Sequence, residues 1–563
     1  MPWRLLGGTC ATAYNQCSTP TRLSRHAEQQ LTTTGRGRGL EVTVPSQFQE
    51  LEERLSQILF QSRNLRNALS SEDGALPDDL LYLILEQACV VQIQPLPSPW
   101  NHSSIFYGSS RFSSSTARDL SCVCRRWRLL LLSNPVVWSD VSIMIRKPEN
   151  LSWLEACLAR STSSSAGCMI QINRPLRVLP GLDVKEVMSR HQLKIRCLKI
   201  KLRTNEDYGF LALKMENLER LHIDDGTYCR TPIPTALHLG KLRAVILQRL
   251  PVVPSDAFFN LTDLTLHNIL SPVDNLVDVL QANQTLEVVR INETAVAEDP
   301  QRRLISLPNL KLLCISYSSP VIVLHMVNPL PTPSQVIVRV DPSMLIASGI
   351  SEVFCPFLIF GPNDPVLAAS ISMLPEEASI TFHTFTGSAV QIIAQADLMD
   401  GWNHPEFSLF LETLSSWGPF PNLRSMDLHI ERRATGPVHT ATIHTLLSAM
   451  PKMTRLSFKG HTLCLSICQA LDLRRAYETI CPELEYLGGT LYPNDPIADT
   501  LRSLSDVLKS RPNIQEVALG ALLLAEKVEG VLEESGSLIE EIKSRGVHGF
   551  SFTPITEWSR IDL

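Results

Sequence analysis

The chain has 563 residues, with 51 Lys and Arg against 57 Asp and Glu, a net charge of −6. That balance excludes the broad basic surface of a nucleic-acid binder. At 44% hydrophobic, 19% charged and 6% aromatic residues, the chain can bury a core, and an aliphatic one, so composition also excludes general disorder. At roughly 150 residues per domain the length suggests three or four domains, or fewer in a repeat array. The 14 cysteines show no regular disulfide spacing. With no secretory signal and no apolar run near the ~20 residues of a membrane span, the expectation is reduced thiols in the cytoplasm or nucleus, with no membrane partner.

Residues 1–45 are polar and lack a hydrophobic period, which predicts a disordered tail. Arg4, Arg22, Arg25, Arg36 and Arg38 against the single Glu28 faintly resemble a mitochondrial transit peptide, a weaker reading. In 46–70, Phe48, Leu51, Leu55, Ile58, Ser62, Leu65 and Leu69 follow heptad spacing. Two readings stand there, a short coiled coil that forms a homodimer and an amphipathic helix packed on its own domain. After a linker at 71–75, Leu76-Pro77-Asp78-Asp79 opens a helix whose Leu80, Leu81, Ile84, Leu85 and Ala88 share a face. Residues 92–118 hold three prolines and many serines and read as an exposed loop. From Asp119, Leu120, Val123, Cys124, Trp127, Leu130 and Leu131 follow helical spacing, Asn134-Pro135 stops the helix, and Trp138 and Val141 follow.

These segments resemble the F-box, a helical module of roughly 40 to 50 residues. The matching elements are Leu76-Pro77, the leucine-rich helix, Val123-Cys124-Arg125-Arg126-Trp127-Arg128 and Pro135-Val136-Val137-Trp138. Residues 76–141 carry the resemblance, which is to the large fungal family in which an F-box precedes an irregular leucine-rich region; the match of the repeat region is looser. Asp79 stands where that family often has Glu, and 92–118 is a loop insertion longer than the usual link. The resemblance implies a module at 76–141 that docks on a Skp-type adaptor, and through it a cullin. The implied adaptor-binding residues are Leu76, Pro77, Leu80, Leu81, Ile84, Leu85, Leu120, Val123, Cys124, Trp127, Leu131, Pro135 and Trp138.

Within a domain expected at 150–545, a short unit recurs from about residue 190, with apolar residues at Leu218-Leu221-Ile223, Leu242-Val245-Leu247, Leu261-Leu264-Leu266, Leu286-Val289-Ile291 and Leu310-Leu313-Ile315. Chance alone gives this template at about one start in twelve in so apolar a chain, so proline carries more weight. It stands two residues before the first apolar position at Pro308, Pro421, Pro451, Pro482 and Pro512. The last four are spaced 30, 31 and 30 residues apart, a period suited to helix-plus-strand repeats. Helical pieces at 274–281, 442–450 and 501–509 fill the gaps.

The fold class expected is therefore α/β, a small all-helical module followed by an irregular leucine-rich-repeat-like β-α solenoid, with strands on the concave and helices on the convex side. Gly226, Leu250, Ile269, Thr294 and Ser318 stand where a repeat asparagine belongs, which argues against a regular asparagine ladder. In 316–420, strands are expected at 336–340 and 380–385, and continuous degenerate repeats fit as well as a break. A charged helix over 526–544 is expected to cap the last repeat, before a tail at 546–563.

No phosphate loop, nucleophile elbow or zincin motif is present. His461, Cys464, Cys468 and Cys481 have the look of metal ligands but read as buried thiols. No catalytic, metal or cofactor residue is assigned. The expectation is a non-catalytic substrate receptor of an SCF-type ubiquitin ligase, whose repeat domain binds an unknown protein target. The alternatives are a repeat scaffold with no ligase role, and an enzyme with a site inside 316–420.

Overall fold

A computed structural model describes residues 76–90, 113–139, 148–161, 184–202, 213–225, 239–250, 258–269, 273–294, 304–316, 334–340, 364–374, 377–395, 420–430, 439–460, 463–472, 480–491, 496–521 and 525–544, with scattered single positions between them and within 54–62. The chain divides into two compact units, 1–81 and 82–563. In the first, described positions from Arg54 to Ser62 are helical, and the seam residue Ile58 is exposed there. Ser62 of the seam is half-buried, while Phe48, Leu51, Leu55, Leu65 and Leu69, the tails at 1–45 and 546–563, and 92–112 of the expected insertion lie outside the described residues.

Helix α1 (Asp78–Cys89) begins behind Pro77, with Asp78 and Asp79 in its first turn. Acidic groups there face the positive end of the helix dipole. Helix α2 (Ser114–Ser121) is capped by Ser113, whose hydroxyl accepts from the Thr116 N–H at 3.2 Å. The expected loop thus ends earlier than residue 118, because serines that look like loop residues supply the cap. Nor do Leu120 to Leu131 lie on one helix. The chain breaks at Cys122–Val123, and α3 (Arg125–Ser133) starts behind Cys124, whose Sγ accepts from the Trp127 N–H. A 3-10 turn (Val136–Trp138) and α4 (Pro148–Arg160) follow, then α5 (Val184–His191).

The remainder is one 14-stranded sheet. Strands β1 (Cys197–Leu202), β2 (Arg220–Asp225), β3 (Ala244–Gln248), β4 (Asp263–His267), β5 (Val288–Asn292), β6 (Leu312–Ser316) and β7 (Gln335–Val340) run parallel in chain order. Their register stacks Leu221, Val245, Leu264, Val289, Leu313 and Val336 in one rank, and Ile223, Leu247, Leu266, Ile291, Ile315 and Val338 in a second. All twelve are buried. At roughly 25 cal/mol per Å² these ranks supply the main drive for stacking one strand on the next.

At the far end β11 (Ser425–Ile430), β12 (Arg455–Lys459), β13 (Tyr486–Leu491) and β14 (Glu516–Ala521) are parallel again. Helices α7 (Thr440–Ser448), α8 (Leu463–Leu471) and α9 (Ile497–Ser510) alternate with them, as α6 (Val273–Ala282) stands between β4 and β5. The expected C-terminal helix is α10 (Ala525–Ser544). It buries Ile539 and Ile542, and its Glu541 meets Lys509 of α9 at 2.9 Å.

The prolines act through a β-turn. Pro308, Pro421, Pro451, Pro482 and Pro512 each hold the second position of a turn that the following apolar N–H closes, as in Leu423 to Phe420 (3.2 Å) and Ile514 to Arg511 (3.3 Å). Proline's fixed φ suits that position. The first residue of each turn points inward, and Met215, Leu239, Leu307, Phe420, Met450 and Cys481 are buried there. Two turns fill the same place with Asn283 and Arg511. Arg511 donates to the carbonyls of Leu471, Ile480 and Cys481, and burial lowers its pKa.

The region 316–420 resolves the open alternative in an unexpected way. The sheet continues through it, but the strand order is β7-β10-β9-β8-β11. Strands β8 (Val366–Met373), β9 (Glu377–Thr384) and β10 (Ala389–Gln395) form a meander in which β9 alone runs backwards. Gly387, at φ +87, turns the second hairpin. Buried Asp364 accepts from the Thr386 N–H and hydroxyl at 3.0 and 2.6 Å. Asp364 thus ties the start of β8 to the turn between β9 and β10. The two expected strands fall within β7 and β9, with Phe385 outside in the turn.

Among the described residues the place of the repeat asparagine is taken at three positions by buried Leu250, Ile269 and Thr294. Redirection of the chain happens one residue after the strand. Arg249, Asn268 and Glu293 adopt left-handed φ of 59, 51 and 48° and donate at 2.8 Å to the last carbonyl of the next strand. Asn takes this conformation readily, while Arg and Glu accept strain there.

Candidate functional site

The thirteen residues expected to bind an adaptor separate into two groups. Leu81 and Leu85, with Cys89, form a buried stripe on α1. Leu131 is buried on α3, and Trp138 is 1% exposed. These four expected contact residues are thus buried within the protein itself. The Trp138 indole N–H donates to the Leu131 carbonyl at 2.8 Å, its ring meets Trp153 edge-on at 5.6 Å, and the Arg160 guanidinium lies 5.2 Å from it. Trp138 therefore fastens α3 to α4. Its large apolar area is spent inside the fold and is closed to a partner.

The second group faces out. Leu80 is 47% exposed, Ile84 46% and Val123 51%. Pro77 and Cys124 are exposed as well, while Leu76, Leu120, Trp127 and Pro135 are half-buried. Leu83 on α1 and Leu129 on α3, each 60% exposed, were missed in the sequence. Leu83 stands three residues after Leu80, the spacing that puts two residues side by side on a helix, and that was the available signal. Single exposed leucines are ordinary, but five exposed aliphatic side chains within 80–129 are more than a short helical segment usually shows.

The sheet carries the other candidate surface. By the two-residue period of a strand, the ranks between the aliphatic ones point away from the core. On β2 to β7 these ranks are mostly covered, with His222, Ile246, Thr265, Cys314 and Ile337 buried. Cys314, Ile337 and Ile393 pack with Leu312 into a second small apolar cluster. On β11 to β14 the same ranks are open. Asp427, Arg455, Lys459 and Glu516 are exposed, and Ser425, His429, Ser457, Tyr486, Thr490 and Ala518 are half-buried.

Among the described cysteines only Cys122 and Cys124 are exposed, and His461 lies outside the described residues. Among the described residues Cys464, Cys468 and Cys481 are buried, and no group of three potential metal ligands occurs. Burial pushes the Cys481 and Cys314 thiols up to about 12, against the opposing charges of Arg511 and Arg290. Burial first, then Glu86, pushes Cys89 up to about 11. A raised folded pKa stabilises fully below the unfolded value near 9, and that contribution is lost as pH rises toward 11–12. Iodoacetamide labelling at pH 8 read by peptide mapping should therefore modify exposed Cys122 and Cys124 within minutes, with Cys314 and Cys481 reacting only on unfolding. Equal rates at all four positions would contradict these burial assignments.

No protein-family model and no curated protein matches this chain. No helix among the described residues is long and apolar enough to cross a membrane. The class defined by the structure is a mixed α/β protein built on one long, mainly parallel sheet.

Proposed function

We propose that the protein is a non-catalytic substrate receptor of an SCF-type ubiquitin ligase. Helices α1 to α3 act as the F-box that docks a Skp-type adaptor, and through it a cullin. The leucine-rich-repeat-like sheet holds the protein destined for ubiquitination. The observation that carries this reading is the division of apolar residues on the helical module. Leu81, Leu85, Leu131 and Trp138 are each buried, whereas Leu80, Leu83, Ile84, Val123 and Leu129 are exposed and suit a partner's surface. The break at Cys122–Val123 supports it, because it turns Val123 outward between two helices.

The test is calorimetry of the full chain with a Skp-type adaptor. Wild type is expected to bind below about 1 μM. Ile84→Asp combined with Val123→Asp should weaken binding at least about 100-fold, since each places a charge in an apolar contact. Both sites are exposed, so the circular dichroism spectrum should not change. A folded wild type that fails to bind the adaptor would favour the scaffold reading.

A further inference from the structure

Strand β13 carries adjacent glycines that serve opposite faces. A Cβ on Gly489 would stand 2.3 Å from the Phe458 ring, so this glycine makes room in the core. A Cβ on Gly488 would stand 2.7 Å from the Tyr486 hydroxyl and 2.9 Å from its Cε1. The Tyr486 side chain thus lies down along its own strand, over Gly488, on the open face. Arg455 is the register partner of Tyr486, and its guanidinium stacks on that ring at 4.1 Å.

Such a stack uses the face of the guanidinium and leaves its edge, where the N–H donors lie, directed sideways. A planar carboxylate takes that edge through two parallel hydrogen bonds. Lys459 stands four residues along β12 on the same face, about 13 Å away by strand rise. Both side chains are exposed, and among the described residues neither is in an ion pair. Asp427 of β11 sits opposite Ser457, between the two cations. It repels a third acid at the midpoint.

We propose that Arg455, stacked on Tyr486, and Lys459 form a docking strip for an extended acidic segment of a partner protein. The segment carries carboxylates four residues apart with no acid between them. Arg455 clamps the first carboxylate and Lys459 attracts the second. This deepens the target-binding half of the reading above and rests on it for the role of the partner. Binding of the segment itself does not depend on adaptor docking, which is scored separately on the same protein.

Random twelve-residue peptides displayed on phage and selected against the full chain provide the probe. Wild type should enrich Asp or Glu pairs spaced four apart. The leading peptide, synthesised with a fluorescent label, should bind Arg455→Gln about 10- to 100-fold more weakly, the range for one charge-assisted contact. Tyr486→Phe keeps the stack and should bind as wild type, whereas Tyr486→Ala should match the Arg455 variant. Replacing the first acid by its amide should cost wild type as much as Arg455→Gln does, and should cost that variant little more. Selection without acid enrichment, or equal binding by Arg455→Gln, overturns the proposal. Tighter binding when phosphoserine replaces the acids overturns the carboxylate assignment. Adaptor affinity should be unchanged in every one of these variants, so failure of the strip and failure of the receptor reading give different results.

Discussion

Trp138→Ala is expected to cost about 3–5 kcal/mol, the range for emptying a large aromatic from a core. The loss is local in origin. Trp138 joins α3 through the Leu131 carbonyl and α4 through Trp153 and Arg160, while Arg118 of α2 lies 5.7 Å from the Trp153 ring. Removing the indole therefore leaves a void where three helices meet and takes one of two donors from the Leu131 carbonyl, which keeps the Asn134 N–H. The strands from β2 onward are held by their own aliphatic ranks and should not respond. Hydrogen exchange read by mass spectrometry should show faster exchange over 114–160 and unchanged exchange over 218–316. Adaptor binding should fall with it, although Trp138 touches no adaptor in this reading. Trp138→Phe retains the edge contact and loses only the N–H, so about 1 kcal/mol is expected. Uniform loss of protection across both regions would show that the helices and the sheet fold as one cooperative body.

The aliphatic ranks were legible because an aliphatic residue at every second position leaves a local trace. Leu221 and Ile223 sit two apart, and each later strand repeats them. Helices α6, α7, α9 and α10 were legible for the same reason at their own period. The meander was not, since β9 alternates inward and outward residues as any strand does, and alternation says nothing about direction. The break between α2 and α3 was hidden because Leu120, Val123, Cys124 and Trp127 fit helical spacing across it. The core and contact residues of α1 could not be separated by pattern. Leu80, Leu83 and Ile84 are as apolar as Leu81 and Leu85, and only the rest of the fold decides which stripe is covered. The Arg455–Tyr486 stack joins residues 31 positions apart through strand register, which no local pattern records.

Asn283 looks like a surface turn residue in the sequence, yet it is fully buried and should be among the positions least tolerant of change. Its amide nitrogen donates to the carbonyls of Phe258 and Val279 at 3.0 and 2.7 Å, and its oxygen accepts from the Leu261 N–H at 2.9 Å. It thus bonds three backbone groups, joining the end of α6 to the turn that enters β4. Asn283→Leu fills similar space and leaves all three groups unsatisfied, at a cost of about 3 kcal/mol with little dependence on pH. Asn283→Asp should be worse at neutral pH. One carboxylate oxygen keeps the Leu261 bond, but the other faces two carbonyl oxygens and carries charge into a site without water. Loss of a further few kcal/mol is expected, on the order of 5 in total. Burial raises the folded pKa of such an acid above its unfolded value near 4. The added penalty is then absent below about pH 4 and grows as pH rises toward the folded pKa. Urea midpoints at pH 4.5 and 7.5, each compared with wild type at the same pH, should show the aspartate variant recovering at the lower value while the leucine variant does not. Parallel behaviour of the two variants would mean that the Asn283 site admits water and that its three bonds are not what holds this turn.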